Sequence, residues 1–103
     1  MFVVTNRLQV KTGYATKMAP MFTKNNGIKE MKGFIRIEVW KVQTDNDYED
    51  LYVNTWWKSE DDFKGWVNSD AFKNAHRKSK PDSEESPVLS NEIVKADVLE
   101  QLK

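Results

Sequence analysis

Residues 34–57 read FIRIEVWKVQTDNDYEDLYVNTWW, and this stretch decides the fold. Two runs rich in β-branched and aromatic residues, 34–42 and 51–57, flank a polar segment that is typical of a turn. The stretch therefore predicts an antiparallel hairpin. Its second strand carries large apolar side chains on both faces, so we expect both faces of that strand to be covered.

One strand and one helix precede the hairpin. Residues 2–10 alternate between apolar and polar positions, as a half-buried strand requires, and Asn6 falls in phase with the apolar side. Residues 14–25 then carry an apolar stripe at helical spacing, made of Tyr14, Met18, Met21 and Phe22. We expect a helix here, kinked at Pro20 and ended by the sequence NNG at 25–27.

One helical segment and one strand follow the hairpin. Ser59, with Asp62 three residues later, resembles a capping box and predicts the start of a helix. Ser69-Asp70 offers a second N-cap, so we expect the helix to bend there and continue through AFKNAHRK. Residues 78–87 are charged and rich in proline and serine, which predicts a mobile surface loop. A fourth strand over 88–99 closes the chain.

The predicted order of elements is β-α-β-β-α-β, the split unit of the ferredoxin-like fold. This is an α+β architecture, with two helices on one face of a four-stranded antiparallel sheet. A chain of 103 residues is expected to form a single domain, residues 1–103. The other sheet face would stay bare in so small a domain, so we expect it to stack on a second copy, with Leu, Ile and Val side chains between the sheets. The sequence therefore predicts a homodimer.

Composition narrows the classes of function. Sixteen Lys and Arg residues balance sixteen Asp and Glu residues, so the chain lacks the basic character of nucleic-acid-binding proteins. The absence of cysteine excludes disulfides and thiolate metal sites. The N-terminal sequence MFVVTNRLQV reaches Arg7 too soon for a signal peptide or a membrane span. We therefore expect a cytoplasmic protein with neither nucleic acid nor membrane as a partner.

His76 is the single histidine of the chain. Without thiols or a second imidazole the usual zinc sites cannot be assembled, and no nucleophile elbow supports a Ser-His-Asp triad. Three roles stay open: a general base, a structural group, or the single axial ligand of a metal that a macrocycle such as haem already holds. A partly exposed histidine on a helix explains the spacing more simply than any of the functional roles.

Trp66 and Asn6 each have two interpretations. Burying an indole is worth up to about 5 kcal/mol, so core packing alone accounts for Trp66. Alternatively Trp66 is a wall that presses on a flat ligand, in a slot that Phe22, Trp57 and Phe72 also line. The Asn6 amide, on an apolar strand face, either bonds to a neighbouring backbone group, as at a bulge, or donates a hydrogen bond into a ligand cavity.

These residues occur within longer segments that resemble one known family. Asn6, Trp66 and His76, together with NRLQV, NGIKEMKGF, WWKSEDDFKGW and NSDAFKNAH, are similar to the IsdG-type haem-degrading monooxygenases. That family belongs to the antibiotic biosynthesis monooxygenase superfamily. The similarity covers nearly the whole chain and includes SPVLSN of the last strand. It implies the dimeric α+β barrel of the superfamily.

The resemblance also implies roles for the candidate residues. His76 would be the axial ligand of haem iron, and Asn6 the hydrogen-bond donor on the opposite side of the ring. Trp66 would be the wall that forces the macrocycle out of plane, and Phe22 would contact it as a further pocket residue.

Haem would then be substrate and cofactor at once. The family uses dioxygen and electrons from an external reductase to open the porphyrin ring, and it releases iron and a bilin-type chromophore. The iron supplies the redox chemistry, so the protein has to supply only ligation, one hydrogen bond and distortion. Arg7, Lys24 and the basic residues after His76 are candidates by charge for binding the haem propionates.

Two other functions stay open from the sequence. A haem-binding chaperone or sensor would hold haem without breaking it. A cofactor-free quinol monooxygenase of the same superfamily would keep the fold and do without haem.

Overall fold

The computed structural model describes residues 1–24, 27–77 and 88–103, with residues 74–77 described as helix only. The elements follow in the order β1 (Phe2–Lys11), α1 (Ala15–Phe22), a 3-10 turn (Ile28–Glu30), β2 (Phe34–Val42), β3 (Tyr48–Trp57), α2 (Glu60–Val67), α3 (Asp70–Arg77) and β4 (Val88–Asp97). The predicted order β-α-β-β-α-β is confirmed. The loop predicted to be mobile, residues 78–87, and most of the NNG sequence lie outside the described residues.

The four strands form one antiparallel sheet in the order β2-β3-β1-β4. β1 lies inside the sheet because it pairs with β3 on one side and with β4 on the other. The predicted hairpin of β2 and β3 is confirmed. β3 begins at Tyr48, earlier than expected, because residues 48–50 pair with the end of β1, where Tyr48 lies opposite Lys11.

α1 is shorter than predicted and buries a different set of side chains. Ala15 is buried and Met18 and Phe22 are half-buried, whereas Met21 is 63% exposed. Tyr14 is also exposed. At about 100° per residue, Ala15, Met18 and Phe22 share the middle of the buried side, and Tyr14 and Met21 both lie about 80–100° to one side of it. The predicted stripe was therefore wrong at Tyr14 and Met21.

The second helical segment is divided into α2 and α3 by two separate serine caps. The Ser59 side chain accepts a hydrogen bond from the backbone N–H of Asp62 at 3.2 Å, and α2 begins there. The Ser69 hydroxyl accepts one from the N–H of Phe72 at 3.2 Å and donates one to the carbonyl of Trp66 at 2.6 Å. The bend predicted at residue 69 is confirmed. None of the helices in the described ranges has the length and apolar character of a membrane span.

The core between the sheet and the helices is divided into two clusters of buried residues. The cluster beneath the second helical segment, called here the α2/α3 cluster, consists of Phe2, Val4, Ile28, Trp57 and Trp66. The other, called the α1 cluster, consists of Leu8, Val10, Ala15, Leu51 and Val53. Along β1 the break between the clusters falls between Val4 and Leu8, at the position of Asn6.

The opposite sheet face carries mainly aromatic and polar side chains. The Arg36 guanidinium lies 4.0 Å from the centre of the Trp56 ring, and its Nε is 3.0 Å from Oε2 of Glu38. The indole N–H of Trp40 donates to Oε1 of the same carboxylate at 3.0 Å. The expectation of a Leu, Ile and Val surface was wrong. Side chains alternate along a strand, and most of the aliphatic ones point towards the helices.

Candidate functional site

Asn6 lies on the helix-facing side of the sheet, with Val53 opposite it on β3 and Ile93 opposite it on β4. Its Oδ1 atom is buried and has no hydrogen-bond partner in the described part of the chain. A buried polar atom without a partner costs about 1–3 kcal/mol. The irregular register in β1 lies between Gln9 and Val10, away from Asn6. Among the described residues, neither a backbone partner nor a bulge therefore accounts for the buried Oδ1 of Asn6.

An amide at this position can present either of its ends to a ligand. Rotation of the terminal torsion exchanges the carbonyl oxygen and the NH₂ group, and the hydrogen-bond partners decide which orientation is occupied. The Asn6 amide is thus able to donate a hydrogen bond towards the helices. The unpaired Oδ1 speaks against the interpretation in which Asn6 bonds to a neighbouring backbone group. The interpretation in which Asn6 donates a hydrogen bond to a ligand stays a prediction.

Two aromatic residues lie on either side of Asn6 along the sheet. Trp66, on α2, is 6% exposed and belongs to the α2/α3 cluster. Phe22, the last residue of α1, is half-buried against the α1 cluster. We call the region between the two clusters the Asn6 gap and define it by Asn6, Phe22 and Trp66. The sequence placed these three residues at one site, and the structure brings their elements to one side of the sheet.

Trp57 belongs to the core rather than to the gap. It is completely buried, its indole N–H donates to the Thr55 hydroxyl at 3.0 Å, and its ring meets Phe34 and Phe63 edge to face. A side chain without exposed surface has none to offer a ligand. The suggestion that Trp57 lines the slot was therefore wrong.

Phe72, by contrast, lies next to Trp66. The centres of the two rings are 5.4 Å apart, and their planes are inclined at 85°. Phe72 is half-buried and packs against the α2/α3 cluster. It therefore stays a candidate for the wall of the Asn6 gap.

His76 lies in the last turn of α3. Its side chain is outside the described residues, so its role as an axial ligand stays a prediction. The backbone places it four residues after Phe72, which is about one helical turn. Because Phe72 packs against the α2/α3 cluster, α3 lies on the same side of the sheet as Asn6 and Trp66.

Arg7 points away from this site. Its Nε donates to the hydroxyl of Tyr52 at 3.0 Å, and its guanidinium lies 5.1 Å from the centre of that ring and 3.9 Å from Glu92. The hydrogen bond with Tyr52 raises the pKa of Arg7 further above its usual value. Because Arg7 directly follows Asn6 on a strand, it lies on the other face of the sheet. As a candidate for the haem propionates at the Asn6 gap, it was wrong.

Ile93 is a neighbour of the site that the sequence did not reveal. It pairs with Asn6 from the edge strand β4, and its side chain is 50% exposed. Apolar surface is therefore open beside the buried amide. The alternation of β4 is too irregular to assign its faces, so Ile93 emerges only once its register against β1 is known.

Comparisons with known proteins identify the family of the chain. Residues 1–78 match the model of the antibiotic biosynthesis monooxygenase family. "Heme oxygenase (staphylobilin-producing)" of Staphylococcus haemolyticus is 60% identical over 103 residues, which are 99% of this chain and 99% of the relative. The protein of the same name from Staphylococcus saprophyticus is 56% identical over the same length, with 99% of each chain covered.

A solved structure extends the comparison to the fold. The haem degrader MhuD of Mycobacterium tuberculosis, with two haems bound in its active site, superposes with a TM-score of 0.76 over 100% of both chains. Its sequence is 18% identical to this one, so the likeness speaks for the fold alone.

Proposed function

The chain belongs to the antibiotic biosynthesis monooxygenase family, and from its similarity to full-length haem oxygenases we propose that it is a haem-degrading monooxygenase. Relatives that are 56–60% identical over 99% of its length are named haem oxygenases, which bears out the activity predicted from the sequence. In the structure, the observation that carries the proposal is the buried, unpaired amide of Asn6 at the break in the core.

The residues around the Asn6 gap fit a flat, mostly apolar ring with one polar centre. Aromatic side chains lie on the two sides of the gap, and Val53 and Ile93 flank Asn6 on the sheet. Protein interiors are close-packed, and an apolar side chain at position 6 would join the two clusters. The chain instead keeps a carboxamide there. A bound iron porphyrin would bring a hydrogen-bonding group to the amide and apolar surface to the side chains beside it.

His76 and the residues of the Asn6 gap would divide the work of the proposed reaction. His76, on α3, would hold the haem iron, and Asn6 would donate an amide hydrogen bond into the haem pocket from the sheet side. Trp66 and Phe22 would contact the ring from its two sides, and Trp66 would be the wall that distorts it. Bound haem supplies the iron that activates oxygen, while the protein supplies position, one hydrogen bond and distortion. The porphyrin ring opens, and iron and a bilin-type chromophore leave.

The reaction also needs partners. We propose that an external reductase delivers the electrons and that the enzyme works in the cytoplasm. The cysteine-free sequence suits a reducing compartment, although it does not require one.

We further propose that the sheet face opposite the helices is the interface of a homodimer, which completes the α+β barrel of the family. Tryptophan, tyrosine and arginine are the residue types most enriched at protein interfaces, and this face carries Trp40, Trp56, Tyr52 and Arg36. Two ion pairs of this face are made within the chain, Arg36 with Glu38 and Arg7 with Glu92. A second copy could therefore cover them without leaving the charges unpaired.

A single-turnover experiment tests the function. Purified protein is loaded with one equivalent of haem and given oxygen and a reductant. We expect the Soret band to decay while a chelator captures about one iron per haem and mass spectrometry detects a linear tetrapyrrole. A persistent Soret band without iron release would leave only a haem chaperone or sensor. A failure to bind haem at all would favour the cofactor-free quinol monooxygenase.

A further inference from the structure

We propose that Phe72 is a positioning residue, which couples the Trp66 wall to the helix that carries His76. The inference rests on the proposed haem site. Trp66 and His76 would act on the same haem in different ways. Trp66 would distort the ring, and His76 would bind its iron. A residue that sets both positions would adjust the two effects together.

The first link is the contact between the two rings. The edge-to-face pair of Trp66 and Phe72, with centres 5.4 Å apart, joins the end of α2 to the first turn of α3. Trp66 is buried, so its ring has little freedom to move without its neighbours. Replacement of Phe72 by a smaller side chain would open space on one side of the indole.

The second link runs through the backbone. The Ser69 hydroxyl donates to the carbonyl of Trp66 at 2.6 Å and accepts from the N–H of Phe72 at 3.2 Å. One hydroxyl thus ties the same two residues that the ring contact joins. Two contacts therefore fix the angle between α2 and α3. One is the pair of aromatic rings, and the other is the Ser69 hydroxyl bonded to two backbone groups.

The third link is the geometry of α3. Residues four positions apart lie on the same side of a helix, so positions 72 and 76 share one face of α3. The first turn of the helix also lies close to the backbone of Gly27 on its Ala71 side, where a Cβ added to Gly27 would be crowded against the Ala71 Cβ. A change at Phe72 would therefore tilt a short helix about its first turn and displace position 76.

The test uses a matched pair of substitutions in the α2/α3 cluster. Phe72→Leu removes the ring that meets Trp66. The control, Phe63→Leu, makes the same change at a ring that contacts Phe2 and Trp57, with centres 6.0 and 5.9 Å away. Phe72→Tyr keeps the ring edge and serves as the conservative variant.

Two readouts separate positioning from mere packing. In the haem-free protein, NMR follows the indole N–H signal of Trp66 and the backbone amide signal of His76. In the ferrous haem complex, resonance Raman spectroscopy follows the stretching band between iron and the histidine nitrogen. We expect Phe72→Leu to shift both NMR signals and the Raman band, and to shift them further than Phe63→Leu does. Phe72→Tyr should restore the values of the parent protein.

Several outcomes would overturn the proposal. These are unchanged spectra in a folded Phe72→Leu protein, equal shifts in Phe63→Leu, or a His76 amide that stays in place while the Trp66 signal moves. If Phe72→Leu does not fold, Ser69→Ala cuts the hydroxyl link alone and must shift the same signals for the proposal to stand. A parent protein that leaves haem intact would overturn the proposed function, whereas the NMR comparison would still decide the coupling.

Discussion

Asn6 and Asn54 show how differently one residue type can be used on the two faces of a sheet. Asn54, on β3, is almost fully buried, and its Oδ1 accepts a hydrogen bond from the Thr5 hydroxyl at 2.7 Å. The buried Oδ1 of Asn6 has no such partner in the described ranges. The sequence could single out Asn6, because a carboxamide interrupts an apolar run, but it could not show whether the amide finds a partner.

Leucine at each asparagine should therefore have opposite effects on stability. Asn6→Leu removes an unpaired polar atom and joins the two clusters, so we expect the free energy of unfolding to rise by about 1–3 kcal/mol. Asn54→Leu leaves the Thr5 hydroxyl without its acceptor and should lower it by a similar amount. Urea denaturation of the haem-free proteins measures both. A destabilised Asn6→Leu protein would mean that the amide is satisfied within the chain.

Gly33 lies close to Asp62 in the first turn of α2, although the two residues are far apart in sequence. Its backbone has φ of +82°, and a Cβ there would overlap the carboxylate of Asp62. Gly13 has a similar φ of +89°, but a Cβ there would meet no atom within 4 Å. The two glycines thus share a conformational requirement and differ in the space around them.

Substitution of each glycine by alanine should separate the cost of the left-handed backbone conformation from the cost of the steric overlap. Gly13→Ala should lose about 1–2 kcal/mol, the cost of the left-handed conformation for a residue with a Cβ. Gly33→Ala should lose more, because the Asp62 side chain must also move away from its hydrogen bond with Ser59. Thermal and urea unfolding measure the difference. Equal losses at the two positions would show that the steric overlap is relieved without cost.

Among the elements, α1 departs furthest from what its sequence suggests. Its N-terminus is capped by the Glu49 carboxylate on β3, whose Oε1 accepts from the N–H groups of Gly13 and Ala15 at 3.0 Å each. The other oxygen, Oε2, is 3.3 Å from the Lys41 ammonium. A cap supplied from more than thirty residues away has no local signature. The strands were easier to predict, since alternation and the β-branched run at 34–42 are local properties.

The cap on α1 should make stability depend on pH in the acidic range. The hydrogen bond from Ala15 and the charge of Lys41 hold the pKa of Glu49 below its usual value of 4.5, against the opposing effect of burial. The stabilisation is therefore complete above pH 4.5 and is lost as the pH falls through the pKa of the folded state.

Unfolding measurements of the parent and Glu49→Gln should show this loss. We expect the parent to be more stable at pH 7 and the difference to shrink steadily below pH 4.5. Glu92→Gln is the control, because that carboxylate is exposed and lies 3.9 Å from Arg7. A difference between parent and Glu49→Gln that does not change with pH would contradict the capping role.

The whole molecule shows where reasoning from the sequence reached its limit. The order of elements, the bend at Ser69 and the elements that carry Asn6, Trp66 and His76 could be predicted from patterns and resemblance. The composition of the sheet face opposite the helices, called here the open face, could not be predicted. Alternation determines which residues share a face, but it does not show which face the helices cover. The division of the core at Asn6 depends on which helix packs over which part of the sheet, and local patterns do not hold that information.

The open face makes a prediction at the scale of the assembly. Trp40 is 45% exposed there, beside Trp56, with ring centres 6.3 Å apart. Trp40→Lys would place a charge in the proposed interface, so we expect a dimer in the parent and a largely monomeric variant at micromolar concentration. Sedimentation velocity measures the two states. Met21→Lys, which changes an exposed residue of α1 on the other side of the sheet, should leave the dimer intact.

The divided core has a consequence for cooperativity. Among the described residues the α2/α3 cluster and the α1 cluster have no member in common. They can therefore loosen separately, whereas a ligand bound between them would make them unfold together. Bound substrate would then stabilise the folded protein. It would raise the melting temperature and make the thermal unfolding transition sharper. Cleavage would convert the rigid porphyrin ring into a flexible linear tetrapyrrole, which would no longer contact both clusters in a fixed geometry. Turnover itself would therefore relax the interior and favour the departure of its product.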